Sequence, residues 1–299
     1  MRFGVVLPTY PIGATVGGVV RVAQVAESLG FASIWTTDHV IMQPEEAGPY
    51  DEIFEGLTTL AYLAGLTRTI KLGISVIVVP QRNGILLAKE LATLDRFASG
   101  RLLVGVGSGW NEAEFRMLDA SERFRHRGAY LDETIDIWRH LWTHPEQPFK
   151  GTFFDLPPVA FGPLPADGQN LPIWVGGSSP AAIRRAGRAG AAWHPVGSPP
   201  EELRSRVPAL LAAAGEVGRR LPEIAPRLSI ELEGTTFDPK LKGRMTSIVG
   251  SDVEIAQQLR AYRDIGVAEI VCLFGTPDGD AVVERMERFA SAIIPDIER

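Results

Sequence analysis

The chain has 299 residues, 45% hydrophobic and 22% charged, which is ordinary globular usage with enough length for a large buried core. A formal charge of -6 offers no basic field to nucleic acid or anionic lipid, and no apolar run reaches the roughly 18 residues of a membrane span. The N-terminus lacks a leader pattern and the single cysteine, Cys272, can form no internal disulfide, so a cytoplasmic setting is expected.

In chain order, β-rich runs alternate with longer helical patterns. "FGVVLP" (3–8) predicts a strand and 15–29 a helix; "ASIWTT" (32–37) and 56–66 repeat the pair. "IKLGISVIVV" (70–79) precedes a helix over 84–97, and "RLLVGVG" (101–107) one over 128–142. "PIWVGG" (172–177), "AAWHPV" (191–196), "RLSIEL" (227–232) and "AEIVCLF" (268–274) precede helices over 180–189, 199–218, 251–264 and 279–292. Several strands are continuously apolar, as strands covered on both faces are. The pattern predicts an α/β fold, one (β/α)8 TIM barrel over 1–299, slightly longer than the roughly 250 residues of a minimal one. The excess falls at 145–172, which carries seven prolines and no helical period. It reads as an inserted loop with room for a small hairpin, either a connector or a lid.

In such a barrel the working groups stand at the C-terminal ends of the strands. Asp38 and His39 end strand two there, although an Asp-His step can also simply turn the chain. Strand three ends through Ser75 and Val76. Strand four runs into "GVGSGWNEAEF" (105–115), whose alternating glycines let backbone approach a flat ligand or a tight neighbour. Its spacing is GxGxG, so it is not a dinucleotide fingerprint. After strand five, Gly176, Gly177 and Ser178 lead to Ser179, a plausible N-cap, and Pro180 at the first helical position. That helix start is an anion site in waiting, or a plain tight turn. Trp193 and His194 close strand six, and Glu231 or Glu233 belongs to strand seven. His140 and His144 have zinc-pair spacing without a third ligand, so no metal is expected. Arg123, Arg125 and Arg127 form a basic knot, read as solvated surface or as a seat for an acidic cofactor tail.

These stretches, with "AESLGFASIWTTDHV", "AGLTRTIKLGISVIVVPQRN", "LDRFASGRLLVGVGSGWNEAEF" and "LPIWVGGSSPAAIRRAGRAGAAWHP", resemble the luciferase-like monooxygenase superfamily, in its F420-dependent oxidoreductase branch. The resemblance covers nearly the whole chain. It implies a barrel holding a deazaflavin or flavin at its mouth, with coenzyme F420 favoured over FMN. Asp38 and His39 would lie beside the ring, and Ser75 and Val76 would bulge behind it, often through a non-prolyl cis peptide. Gly107, Ser108, Gly109, Gly176, Gly177, Ser178, Trp193 and His194 would complete the cofactor site. His39, oriented or made more basic by Asp38, would either handle the proton in hydride transfer between F420 and a small organic substrate or only seat the ring. The alternatives are an FMN-dependent monooxygenase and a non-catalytic flavin-binding protein. The acid that follows the third glycine in related sugar-phosphate dehydrogenases is Trp110 here, which argues against that substrate. Barrels of this family often pair through helices near strands two and three, so the resemblance allows a homodimer and leaves the oligomeric state open. Neither nucleic acid nor membrane is an expected partner.

Overall fold

In the computed structural model, residues 1–10, 14–50, 52–242 and 246–298 are described. Eight parallel strands form the inner wall: β1 (Arg2–Val6), β2 (Ser33–Thr36), β3 (Lys71–Val78), β4 (Leu102–Gly107), β5 (Ile173–Gly176), β6 (Ala192–His194), β7 (Arg227–Leu232) and β8 (Glu269–Leu273). Each overlaps a run expected from the sequence. Neighbours pair in order from β1 to β6, and β8 pairs with both β1 and β7. A bridge between Val196 and Arg227, with the Arg227 N–H donating to Pro195 O at 2.9 Å, joins β6 to β7. The sheet therefore closes on itself, and the barrel expectation holds.

Around it stand α1 (Val16–Ser28), α2 (Gly56–Leu66), α3 (Gly84–Phe97), α4 (Arg127–Thr143), α5 (Pro180–Ala189), α6 (Pro200–Gly215), α7 (Asp252–Asp264) and α8 (Gly279–Arg288). Their starts are written in the sequence. Thr15, Asn83, Ser179 and Asp278 each accept a first-turn N–H, and Ser251 forms a capping box with Glu254.

Alternation along the strands makes two apolar layers. Phe3, Val5, Ile34, Leu72 and Val175 face the helices, while Val6, Trp35, Leu103, Trp174, Ala192 and Val271 fill the barrel. Trp35 fits there because Gly73 beside it has no side chain: a Cβ would lie 2.3 Å from the indole. The Trp35 indole N–H donates to Ser33 Oγ at 2.6 Å, and Ser33 in turn donates to the buried Glu269 carboxylate. The centre is solid, so chemistry is left to the mouth.

Two features lie outside the sequence reading, and a third is the small hairpin that the inserted loop allowed. A strand at Ser247–Gly250 adds to β7, from an apolar run too short to announce itself. Short helices at Glu112–Met117 and Ser121–Phe124 interrupt the path from β4 to α4. Within 145–172, Phe149–Lys150 and Asp155–Leu156 pair as an antiparallel hairpin. Glu133 of α4 accepts the N–H groups of Thr152, Phe153 and Phe154 at 2.8, 2.7 and 2.8 Å, and Asp95 of α3 accepts that of Ala166 at 2.7 Å. These anchors all belong to the outer helices α3 and α4.

Candidate active site

The floor of the mouth is a break in β3. Its register with β4 shifts between Ile74 and Ile77, and the Ser75–Val76 peptide is cis. The alternating glycines serve this bulge: a Cβ on Gly105 would lie 2.0 Å from Ile74 O, and one on Gly107 2.6 Å from Val76 Cγ2. Of the two readings for these glycines, the tight neighbour is the one realised. Ser75 is buried, while the apolar Val76 side chain stays part-exposed in front of them.

Asp38 and His39 part company here. Asp38 is buried, takes the Val78 N–H on Oδ2 at 2.9 Å and pairs through Oδ1 with Arg82 at 2.6 Å. It steadies the bulge and does not orient the imidazole, which corrects the expected Asp-His pairing. His39 turns instead to Glu114, with Nδ1 at 3.1 Å from Oε2. Glu114 is 1% exposed in the first turn of a short helix capped by Asn111, and its Oε1 accepts the Val40 N–H at 2.8 Å. Burial pushes its carboxyl up, but the hydrogen bonds from His39 and Val40 outweigh burial and hold it below the usual carboxylate value. The Tyr50 ring lies against His39 at 4.5 Å, and Trp110 presents its edge at 6.2 Å. Sequence reasoning missed Glu114. Its signal was the Asn111 cap, which fixes a helix start and so the side on which the second glutamate of "NEAEF" falls.

Deeper in the mouth, His194 is fully buried and stacks on Trp35 at 5.2 Å. Its Nδ1 lies 2.5 Å from Ala225 O and its Nε2 2.8 Å from Ser75 Oγ. Burial, reinforced by the Arg227 guanidinium, pushes its pKa down to about 4 against the opposing hydrogen bond to Ala225, so the ring is neutral. Nδ1 then carries the proton, and the Ser75 hydroxyl donates to Nε2. Trp193 points the other way, into the layer between sheet and helices. That corrects its expected position at the mouth. Its indole N–H donates to Gly177 O at 2.8 Å and so holds the glycine loop from behind.

That loop is exposed at Gly177, where φ is +96°, a conformation L side chains rarely adopt. Ser178 follows, then the Ser179 cap and Pro180. On the β4 side, Ser108 and Gly109 are part-exposed, with Gly109 at φ +76°. The basic knot is largely committed elsewhere. Arg123 donates to Pro80 O and Arg82 O, and Arg127 to Gly109 O and Phe124 O, which leaves Arg125 exposed. A part-exposed apolar bulge, an imidazole–carboxylate pair and a glycine turn before an N-capped helix fit a flat ring carrying a phosphate-bearing tail.

The family model for luciferase-like monooxygenase matches residues 1–233. An uncharacterized protein of Mycobacterium tuberculosis is 31% identical over 234 residues, covering 73% of this chain and 78% of that one. An F420-dependent glucose-6-phosphate dehydrogenase of Amycolatopsis mediterranei is 32% identical over 177 residues, 58% of this chain and 51% of that protein. Among solved structures, an F420-dependent secondary alcohol dehydrogenase in complex with an F420-acetone adduct superposes with a TM-score of 0.81, at 19% identity, over 99% of this chain and 98% of that one. With its closed barrel and its polar mouth, this chain is an oxidoreductase belonging to the luciferase-like monooxygenase family.

Proposed function

We propose that the chain is an F420-dependent oxidoreductase that moves a hydride between coenzyme F420 and a small organic substrate. The observation that carries this reading is the buried His39–Glu114 pair at the mouth. When bound, F420 would supply or accept the hydride. The protein's part is then to hold the reacting carbon and to move one proton.

Glu114 accepts from Nδ1 of His39, which fixes the tautomer and turns Nε2 toward the substrate side. In oxidation Nε2 takes the proton of the substrate hydroxyl as hydride leaves the adjoining carbon; in reduction it returns that proton to the oxygen. Val76, Asp38 and Ser75 would bear on the ring, and Gly107, Ser108 and Gly109 would border it. Gly176, Gly177 and Ser178, at the start of α5, would hold the phosphate. The relative named as an F420-dependent dehydrogenase supports F420 as the cofactor.

The test is equilibrium titration of the purified protein with F420 and with FMN side by side. F420 should bind at least about tenfold more tightly. Tighter FMN binding, or FMN retained through purification, overturns the reading in favour of a monooxygenase.

A further inference from the structure

Resting on that reading of the mouth, we propose that the substrate is a carboxylate and that Arg227 recognises it. Arg227 is 4% exposed, at the start of β7, on the strand face that looks into the barrel. Its Nη1 donates to Thr37 Oγ1 at 3.0 Å and Ser75 O at 3.2 Å, and its Nη2 donates to the Tyr10 hydroxyl. All three acceptors are neutral. Among the described residues no carboxylate lies within ion-pair distance of it, and its Nε has no partner. Arg82, at the same mouth, has Asp38 as its counter-charge; among the described residues Arg227 has none.

A guanidinium held out of water without an anion is costly, and so is a buried donor left unpaired. The groups around Arg227 do not offset it. His194 is neutral, and burial together with Tyr10 raises the Tyr50 phenol to about 12 against the pull of Arg227, so it stays un-ionised. Two residues along the same face, Ser229 Oγ is also buried without a partner. An anionic ligand would satisfy all of these.

The donor geometry selects the class of anion. A guanidinium has five N–H donors, and those spent on Thr37, Ser75 and Tyr10 leave the Nε–H and one Nη2–H. Two donors on neighbouring nitrogens match the two oxygens of one carboxylate. Among the described residues no second cation is in contact to balance a phosphate dianion. The site is also close to the proton-handling pair, because Tyr50 packs on His39 at 4.5 Å and on Tyr10 at 5.3 Å. A short hydroxy acid or keto acid would span the two. Its carboxylate would rest on Arg227 while the carbinol carbon gives a hydride to F420 and the hydroxyl a proton to His39, or the reverse.

The experiment is calorimetric titration of the protein, with and without F420, using 2-hydroxybutyrate, 2-hydroxybutyramide and inorganic phosphate. The expected result is a carboxylate preference of at least tenfold over the amide, lost in Arg227→Gln and partly kept in Arg227→Lys, with F420 affinity unchanged within about threefold. Equal binding of acid and amide by the unaltered protein overturns the proposal, whatever the variants do. Phosphate binding that is tighter than that of the acid and is lost in Arg227→Gln does so as well. A tenfold loss of F420 affinity in Arg227→Gln would assign the arginine to the ring instead. Failure of F420 to bind, with the acid still preferred through Arg227, would refute the cofactor and leave the carboxylate site standing.

Discussion

His39 Nδ1 and Glu114 Oε2 stand 3.1 Å apart across 75 residues of chain, joining the end of β2 to the first turn of the helix after β4. Because the carboxylate is almost fully buried, its strongest use is to fix the imidazole. His39→Ala should lower turnover by about 100-fold to 10000-fold while cofactor affinity changes little. Glu114→Gln, which keeps an acceptor for the Val40 N–H, should cost about 10-fold to 100-fold. Steady-state rates beside cofactor titrations check both, and a fall in affinity without a fall in turnover at saturation would reduce His39 to seating the ring.

Gly177→Asp should weaken cofactor binding by about tenfold relative to Gly177→Asn. Both variants share the strain of a side chain at φ +96°, so their difference isolates the added negative charge at the start of α5. Gly187 would be a poor control, since a Cβ there lies 2.7 Å from Ala213 Cβ and disturbs the packing of α5 on α6. Titration with F420 reads the difference, and circular dichroism verifies that both variants fold.

His194 should make the fold acid-sensitive. Its pKa is lowered by burial from 6.5 to about 4, so between these values the unfolded chain binds a proton that the folded one refuses. Stability therefore falls as pH drops through that window, by about 3 kcal/mol for the full shift. Denaturant unfolding of the unaltered protein and His194→Gln at pH 6.5 and pH 4 should show a shallower slope in the variant, whatever its starting stability.

Glu27 acts in a different range. Its Oε1 takes the N–H groups of Arg68, Thr69 and Ile70, tying the end of α1 to the chain entering β3. Burial opposes ionisation, yet these bonds together outweigh it and hold the carboxyl down to about 2 from 4.5. The stabilisation is complete above pH 4.5 and lost as pH falls toward 2. Glu27→Gln should cost about 1 kcal/mol at pH 7, and the gap between variant and parent should close near pH 2.

The sequence alone determined the barrel, because strand and helix are local decisions. Continuous apolar runs such as "IKLGISVIVV" cannot be solvated on either face, and Thr15, Asn83, Ser179 and Ser251 start helices through bonds to their own next residues. It also gave the level of the mouth, since Asp38, His39 and Gly177 all follow the ends of strands. Period-two alternation in β6 already implied that only one of Trp193 and His194 could face inward; closure decided that it is His194. Tertiary structure alone chose the partners. Asp38 goes to Arg82 and Val78, His39 to Glu114, and Arg227 to three neutral acceptors. Those pairings depend on how far each strand is staggered against its neighbour around the closed sheet. That stagger is a property of the whole ring, which no single stretch of sequence encodes.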